Sequence, residues 1–337
     1  MLSALTGKTV LPPGSGRNLA AVRVAVSVGF LAALFFVVGL TPGQLAGAMK
    51  TADGLQLTLA FLILSVLLLM LSLKWYIIAR WLGIAVPFVS TTKLYLTAMV
   101  LNNVLPTAIG GDFYRVYFLS REGDTSLKRS LASVIVERAT GYAGLLALSA
   151  PAAAFYFLGA IPGIGASLAI LGLFGLAYVA LGRLRAGPDR VDGNGLPTWR
   201  SLATARPDLH RVAALSVAQQ ALWVSAAAVF GLAYGVSVPW SYWALVVTAV
   251  TLVTVLPVSV GGLGLREASY AALLAPLGVG ASKAAAIGLA MGFGPSLLSL
   301  VALLPFVALG LRPPSPSLLR EEVAVTPAEP TVTRVQH

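Results

Sequence analysis

Apolar runs of about twenty residues recur along the chain, the length at which a helix crosses the roughly 30 Å hydrocarbon core of a bilayer. They fall at about Ala20 to Leu40, Leu55 to Leu73, Ala132 to Leu158, Ile164 to Gly182, Val212 to Tyr234 and Ala284 to Leu311. Two more segments, Pro87 to Ser120 and Ala244 to Pro276, are broken by Asn, Pro, Gly and charged residues, and the pattern predicts helical hairpins there. The interruptions match. VLPTAIGGDFYR (Val104 to Arg115) returns as VLPVSVGGLGLR (Val255 to Arg266). Pro106 and Pro257 remove an amide hydrogen, and the glycine pairs Gly110-Gly111 and Gly261-Gly262 uncover backbone, so both strings are expected to break a membrane helix.

Three full spans lie between the two hairpins, so if one opens to the cytoplasm the other opens outside. The fold predicted is therefore an all-α polytopic membrane protein built as an inverted repeat. Each unit holds three spans and one broken re-entrant hairpin, over about 20–158 and 164–311. Paired breaks of this kind mark a substrate site at the repeat interface. Residues 1–18 and the Pro-rich tail 312–337 are expected to be disordered and cytoplasmic, outside a membrane domain of 19–311. The Arg-rich loop 183–211 is placed in the cytoplasm with both termini.

Composition agrees with a lipid solvent: 58% of the 337 residues are hydrophobic, 10% are charged, and mean hydropathy is +0.87. The net charge of +11 then reads as cytoplasmic loop bias rather than nucleic-acid binding. The absence of Cys excludes thiolate chemistry. With only His210 and His337, imidazole catalysis is not expected; nor is a metal or a cofactor. No phosphate-binding loop of the G-x-x-x-x-G-K-[ST] kind occurs. Lys74, Trp75, Tyr76 and Arg80 read as anchors at the cytoplasmic interface.

Six ionisable residues sit in or beside apolar stretches: Asp112, Arg115, Glu137, Arg138, Arg266 and Glu267. Ionised side chains at depth cost on the order of 2.5 to 3.5 kcal/mol each, so pairing or a wet cavity is expected. In one reading Arg115 and Arg266, with the amides of Gly110, Gly111, Gly261 and Gly262, hold a lipid phosphate, while Asp112, Glu137, Arg138, Glu267 and Asn103 support or pair with them. In the other, the charges form a structural lock and the glycines only permit close packing.

LPTAIGGDFYRVYFLSREG, SVIVERATGYAGLLAL and LPVSVGGLGLREASYAALLAPLGV together resemble the flippase-like family related to the transmembrane region of the lysylphosphatidylglycerol synthases, the multiple peptide resistance factors. Asn103, Pro106, Gly110, Gly111, Asp112 and Arg115 match the first motif, Glu137 and Arg138 the middle one, and Pro257, Gly261, Gly262, Gly264, Arg266 and Glu267 the last. The resemblance implies a domain that moves an amphipathic lipid between leaflets. It does not extend to the soluble aminoacyl-transferase domain of the resistance factors, so lysyl transfer is not expected. The function expected is a lipid flippase of the plasma membrane for a phospholipid or polyprenyl-phosphate-linked lipid, with membrane lipids and a lipid-synthesising enzyme as candidate partners and no nucleic acid. The alternatives are an integral-membrane glycosyl- or phosphotransferase and a non-transporting scaffold subunit.

Overall fold

The computed structural model of the protein describes residues 41–104, 110–159, 161–169, 206–255 and 259–308. The expected span Ala20 to Leu40, most of Ile164 to Gly182, both tails, the loop up to residue 205, Pro106 and Pro257 lie outside the described residues. Among the described residues there is no strand, and nearly all are helical. The principal helices are α1 (Pro42–Lys50), α2 (Gly54–Trp81), α3 (Phe88–Val104), α4 (Gly110–Glu122), α5 (Leu127–Leu158), α6 (Arg206–Ala233), α7 (Trp240–Val255), α8 (Leu265–Leu274) and α9 (Ala281–Ala308), and residues 161–169 are helical as well. Because α6 already starts at Arg206, the last residues of the expected Arg-rich loop are helix.

Four of these helices are long and apolar enough to cross a membrane: α2, α5, residues Leu209–Ala233 of α6, and α9. At 1.5 Å per residue, a 28-residue helix such as α2 runs about 42 Å, beyond the hydrocarbon thickness. One face of α2 carries Leu55, Leu59, Leu62, Val66, Leu69 and Leu73, all exposed and spaced three or four apart. The opposite face buries Leu64, Leu67, Trp75 and Ile78. α9 exposes a similar series from Phe293 to Val307. Apolar stripes this long and bare suit lipid, not water. The protein is a multi-pass membrane protein.

By contrast, α3 and α4, like α7 and α8, are arms of two hairpins. With 17 and 13, and 16 and 10 residues, each arm runs only about 15 to 26 Å, short of a full crossing. The turn of the second hairpin uses three glycines at positive φ, Gly261, Gly262 and Gly264, a conformation that side chains disfavour.

Capping sets the ends. Asp53 caps α2 by accepting from the Gln56 amide at 2.9 Å, and its own amide donates to the carbonyl of Ala233 at 2.8 Å. That bond ties the start of α2 to the end of α6, and the two helices pack along each other as antiparallel neighbours. α5 meets α7 where the rings of Tyr156 and Tyr242 lie 5.1 Å apart. α9 meets α3 where Ser296 donates to the Met99 carbonyl at 2.9 Å and Leu303 packs near Leu96. Exchanging α2 with α6, α3 with α7, α4 with α8 and α5 with α9 turns each of these contacts into another of the set. The outer ends of the first hairpin lie beside the end of α2, where Ile84 and Val86 pack with Leu119; those of the second are joined by the Tyr242 hydroxyl, which donates to the Leu273 carbonyl at 2.6 Å.

Candidate functional site

Between the hairpins lies a cavity of about 330 Å³, walled by residues of α2, α3, α5, α6, α7, α8, α9 and the Gly261-Gly262 turn. Its lining is mixed. Leu67, Leu71, Trp223 and Met291 are apolar, whereas Asn103, Arg138, Gln219, Gln220, Thr254 and Arg266 are polar or charged. An amphipathic ligand matches such walls better than a wholly polar or wholly apolar one.

Beside this cavity runs an ion-pair chain of alternating sign. Lys74 meets Glu137 at 3.4 Å, Glu137 meets Arg115 at 3.1 Å, Arg115 meets Asp112 at 3.2 Å, and Asp112 takes two hydrogen bonds from Arg138 at 3.0 and 2.9 Å. It joins α2, α4 and α5. Lys74 is fully buried, and its ammonium also donates to the Glu137 carbonyl at 3.2 Å. The neighbouring Trp75 is buried too, its indole N–H donating to Ser133 at 3.2 Å. The reading of Lys74 and Trp75 as interfacial anchors is therefore corrected: both turn inward, because Glu137 offers a charge that Lys74 can neutralise.

Arg115 is shut away from the cavity. Its guanidinium carbon sits 4.7 Å from the Trp75 ring and 4.8 Å from the Tyr95 ring, and both neighbouring carboxylates hold it. Arg138 is the exposed end of the chain, with 44% of its side chain accessible, and it lines the cavity. The Gly110-Gly111 pair is buried at the start of α4. The Gly111 amide donates to the Asn102 side-chain oxygen at 3.0 Å, and a Cβ there would collide with the Ala98 carbonyl, so this pair brings α3 and α4 together.

The second motif lies differently. Arg266 lines the cavity with Gly261 and Gly262, and its guanidinium donates to the Gly261 carbonyl at 2.7 Å. The same guanidinium lies against Gly292, where a Cβ would overlap it. Glu267 points away, fully buried, accepting from the Gly264 amide at 2.6 Å at the start of α8. Asn103 stands where the hairpins touch. Its side chain donates to the Gly292 carbonyl at 3.0 Å and to Ser296, and a Cβ on Gly261 would come within 2.9 Å of its oxygen. The structure thus brings Arg138, Arg266, Gly261, Gly262 and Asn103 to one cavity, while Arg115, Asp112, Gly110 and Gly111 stand behind its wall.

Gln219, Gln220 and Thr254 line the cavity although the sequence does not single them out, and Lys74 reads there only as an anchor. For Lys74, the signal available was a lysine within a run that stays apolar as far as Ile78. Gln219 carries no such signal: a Gln-Gln pair in a span reads as a packing contact.

A family model described as the lysylphosphatidylglycerol synthase TM region matches residues 20–293. A UPF0104 membrane protein of Methanothermobacter thermautotrophicus (strain Delta H) is 28% identical over 123 residues. That match covers 36% of this chain and 36% of the relative's length.

Proposed function

The chain belongs to the family of the lysylphosphatidylglycerol synthase TM region, and on that premise we propose that it moves a phospholipid or polyprenyl-phosphate-linked lipid between leaflets of the plasma membrane. The observation that carries this reading is the cavity between the two short-armed hairpins, where Arg138 and Arg266 enter the same partly apolar space. Phosphate oxygens bind guanidinium groups through charge-assisted hydrogen bonds. The headgroup sits on these two arginines and the acyl chains stay toward lipid. Arg115, Asp112, Glu137 and Lys74 position Arg138.

The antiparallel run of α2 and α6, together with the exchange of helix contacts, supports an inverted repeat. In that architecture the hairpins are equivalent gates, one on each face, and alternating access follows from rocking one half against the other. The face at which α2 begins is then outside, and both termini are cytoplasmic. Purified protein in liposomes, with fluorescent lipids and no partner present, tests the proposal. Accelerated exchange of label between leaflets is expected, and Arg138→Ala or Arg266→Ala should abolish it. Exchange no faster than in empty liposomes for every lipid tried would reject it.

A further inference from the structure

We propose that the cavity selects lipids with a monoanionic phosphodiester headgroup whose remainder is polar but uncharged, and that Arg266 is the residue that reads this charge. The inference rests on the lipid-transport reading and narrows its substrate class. It begins with a charge count over the cavity and the groups directly behind it. Lys74, Arg115, Arg138 and Arg266 face Asp112, Glu137 and Glu267, a formal excess of one positive charge.

Where that excess resides follows from the pairing. Both carboxylates of the chain are already shared: Glu137 between Lys74 and Arg115, Asp112 between Arg115 and Arg138. Glu267, though adjacent in sequence to Arg266, is turned to the Gly264 amide. Among the described residues Arg266 has no carboxylate within salt-bridge distance, and the partner seen for its guanidinium is a backbone carbonyl. A cation in low dielectric without a counter-charge is costly, and one added negative charge removes that cost. A second negative charge would find no free cation.

The uncharged remainder is argued from the other walls. Among the described residues Glu137 is the one carboxylate lining the cavity, and it is buried against two cations. An ammonium group on the ligand therefore meets no free acid. It meets neutral groups instead: Tyr142, Gln219, Gln220, Thr251 and Thr254. The amide oxygen of Gln219, 3% exposed, has no hydrogen-bond partner, so this side chain is left needing a donor. Hydroxyl groups supply a donor without bringing a charge.

The test uses the purified full chain and short-chain lipids that share their acyl groups: phosphatidylglycerol, phosphatidylethanolamine and phosphatidic acid, with inorganic phosphate as the free-anion control. Phosphatidylglycerol is expected to bind at least about tenfold more tightly than either other lipid, and inorganic phosphate more weakly still. Arg266→Gln should erase the preference for the anion, while Arg266→Lys, which keeps the charge, should retain its order. Gln219→Glu brings the formal charge to zero and should turn the preference toward phosphatidylethanolamine. Equal or tighter binding of phosphatidylethanolamine by the unmodified protein, or an unchanged order in both Arg266→Gln and Gln219→Glu, overturns the proposal. So does inorganic phosphate binding as tightly as phosphatidylglycerol. The same lipids run in the liposome assay separate the two readings. Movement of all headgroups alike rejects the selectivity and keeps transport, whereas selective binding without movement rejects transport and keeps the selectivity.

Discussion

The Arg115 guanidinium lies 3.1 Å from the Glu137 carboxylate across the gap between α4 and α5, and that same carboxylate holds the fully buried ammonium of Lys74 at 3.4 Å. One acid thus pairs with two cations from different helices, and Asp112 supplies the second negative charge at Arg115. The helix that carries Lys74 also forms the antiparallel pair with α6, so this acid joins the first hairpin to the centre of the fold.

Glu137→Gln should therefore destabilise the protein by about 3–5 kcal/mol, because it strands buried positive charge instead of merely removing a contact. Adding Lys74→Met to Glu137→Gln should recover part of the loss. Thermal unfolding in detergent measures both, and a double variant no more stable than the single one would contradict the shared-acid arrangement.

Gly292→Ala is expected to act through a residue it does not replace. Its new methyl would occupy the place of the Arg266 guanidinium and force that side chain out of the cavity, at a packing cost of about 1–3 kcal/mol. Lipid exchange in liposomes should fall to the level of Arg266→Ala. In an Arg266→Ala background, Gly292→Ala should be nearly silent, which a comparison of the single and double variants checks.

Gly144→Ala tests the crossing of α5 and α6. A Cβ there would lie 2.7 Å from the backbone carbonyl of Ser216, with no flexible side chain to yield. A loss of about 1–3 kcal/mol is expected, with lipid preference unchanged among the molecules that remain folded. A shift in preference would show that this crossing shapes the cavity as well as supporting it.

Asn103→Cys with Gly261→Cys should close a disulfide between the hairpins, since a Cβ on Gly261 falls 3.5 Å from the Asn103 Cα. The chain has no other Cys to compete. Oxidation should stop lipid exchange and reductant should restore it relative to the Asn103→Cys single variant. Full exchange with the bond formed would mean that the hairpins need not part.

The long spans could be read from hydropathy because lipid imposes a uniform demand on every turn of α2, α5, α6 and α9. The short paired arms could be read from the repeated string with its Gly-Gly pairs, which interrupts both segments. Which arginine faces the cavity could not. Arg115 and Arg266 occupy equivalent positions of the repeated string, yet Arg115 finds Asp112 and Glu137 within reach while Arg266 finds the Gly261 carbonyl. That difference is made by partners on other helices, which local spacing does not encode. Lys74 and Trp75 misled for a related reason: basic and aromatic residues near the end of a span suit an interface and a buried pair equally well, and only the placement of Glu137 and Ser133 decides between them.

The ion-pair chain also has a mechanical consequence. Its links differ in how freely they can be undone, because each carboxylate has two holders while Lys74 and Arg138 are chain ends. If Arg138 lets go, Asp112 is still gripped by Arg115 and no acid is abandoned; if Arg115 lets go, both halves of the chain lose their common member. Release of Arg138 would thus leave every acid still paired and free a cation that is already partly accessible, unlike the buried Lys74, so the cost of breaking the chain is lowest at the end that lines the cavity.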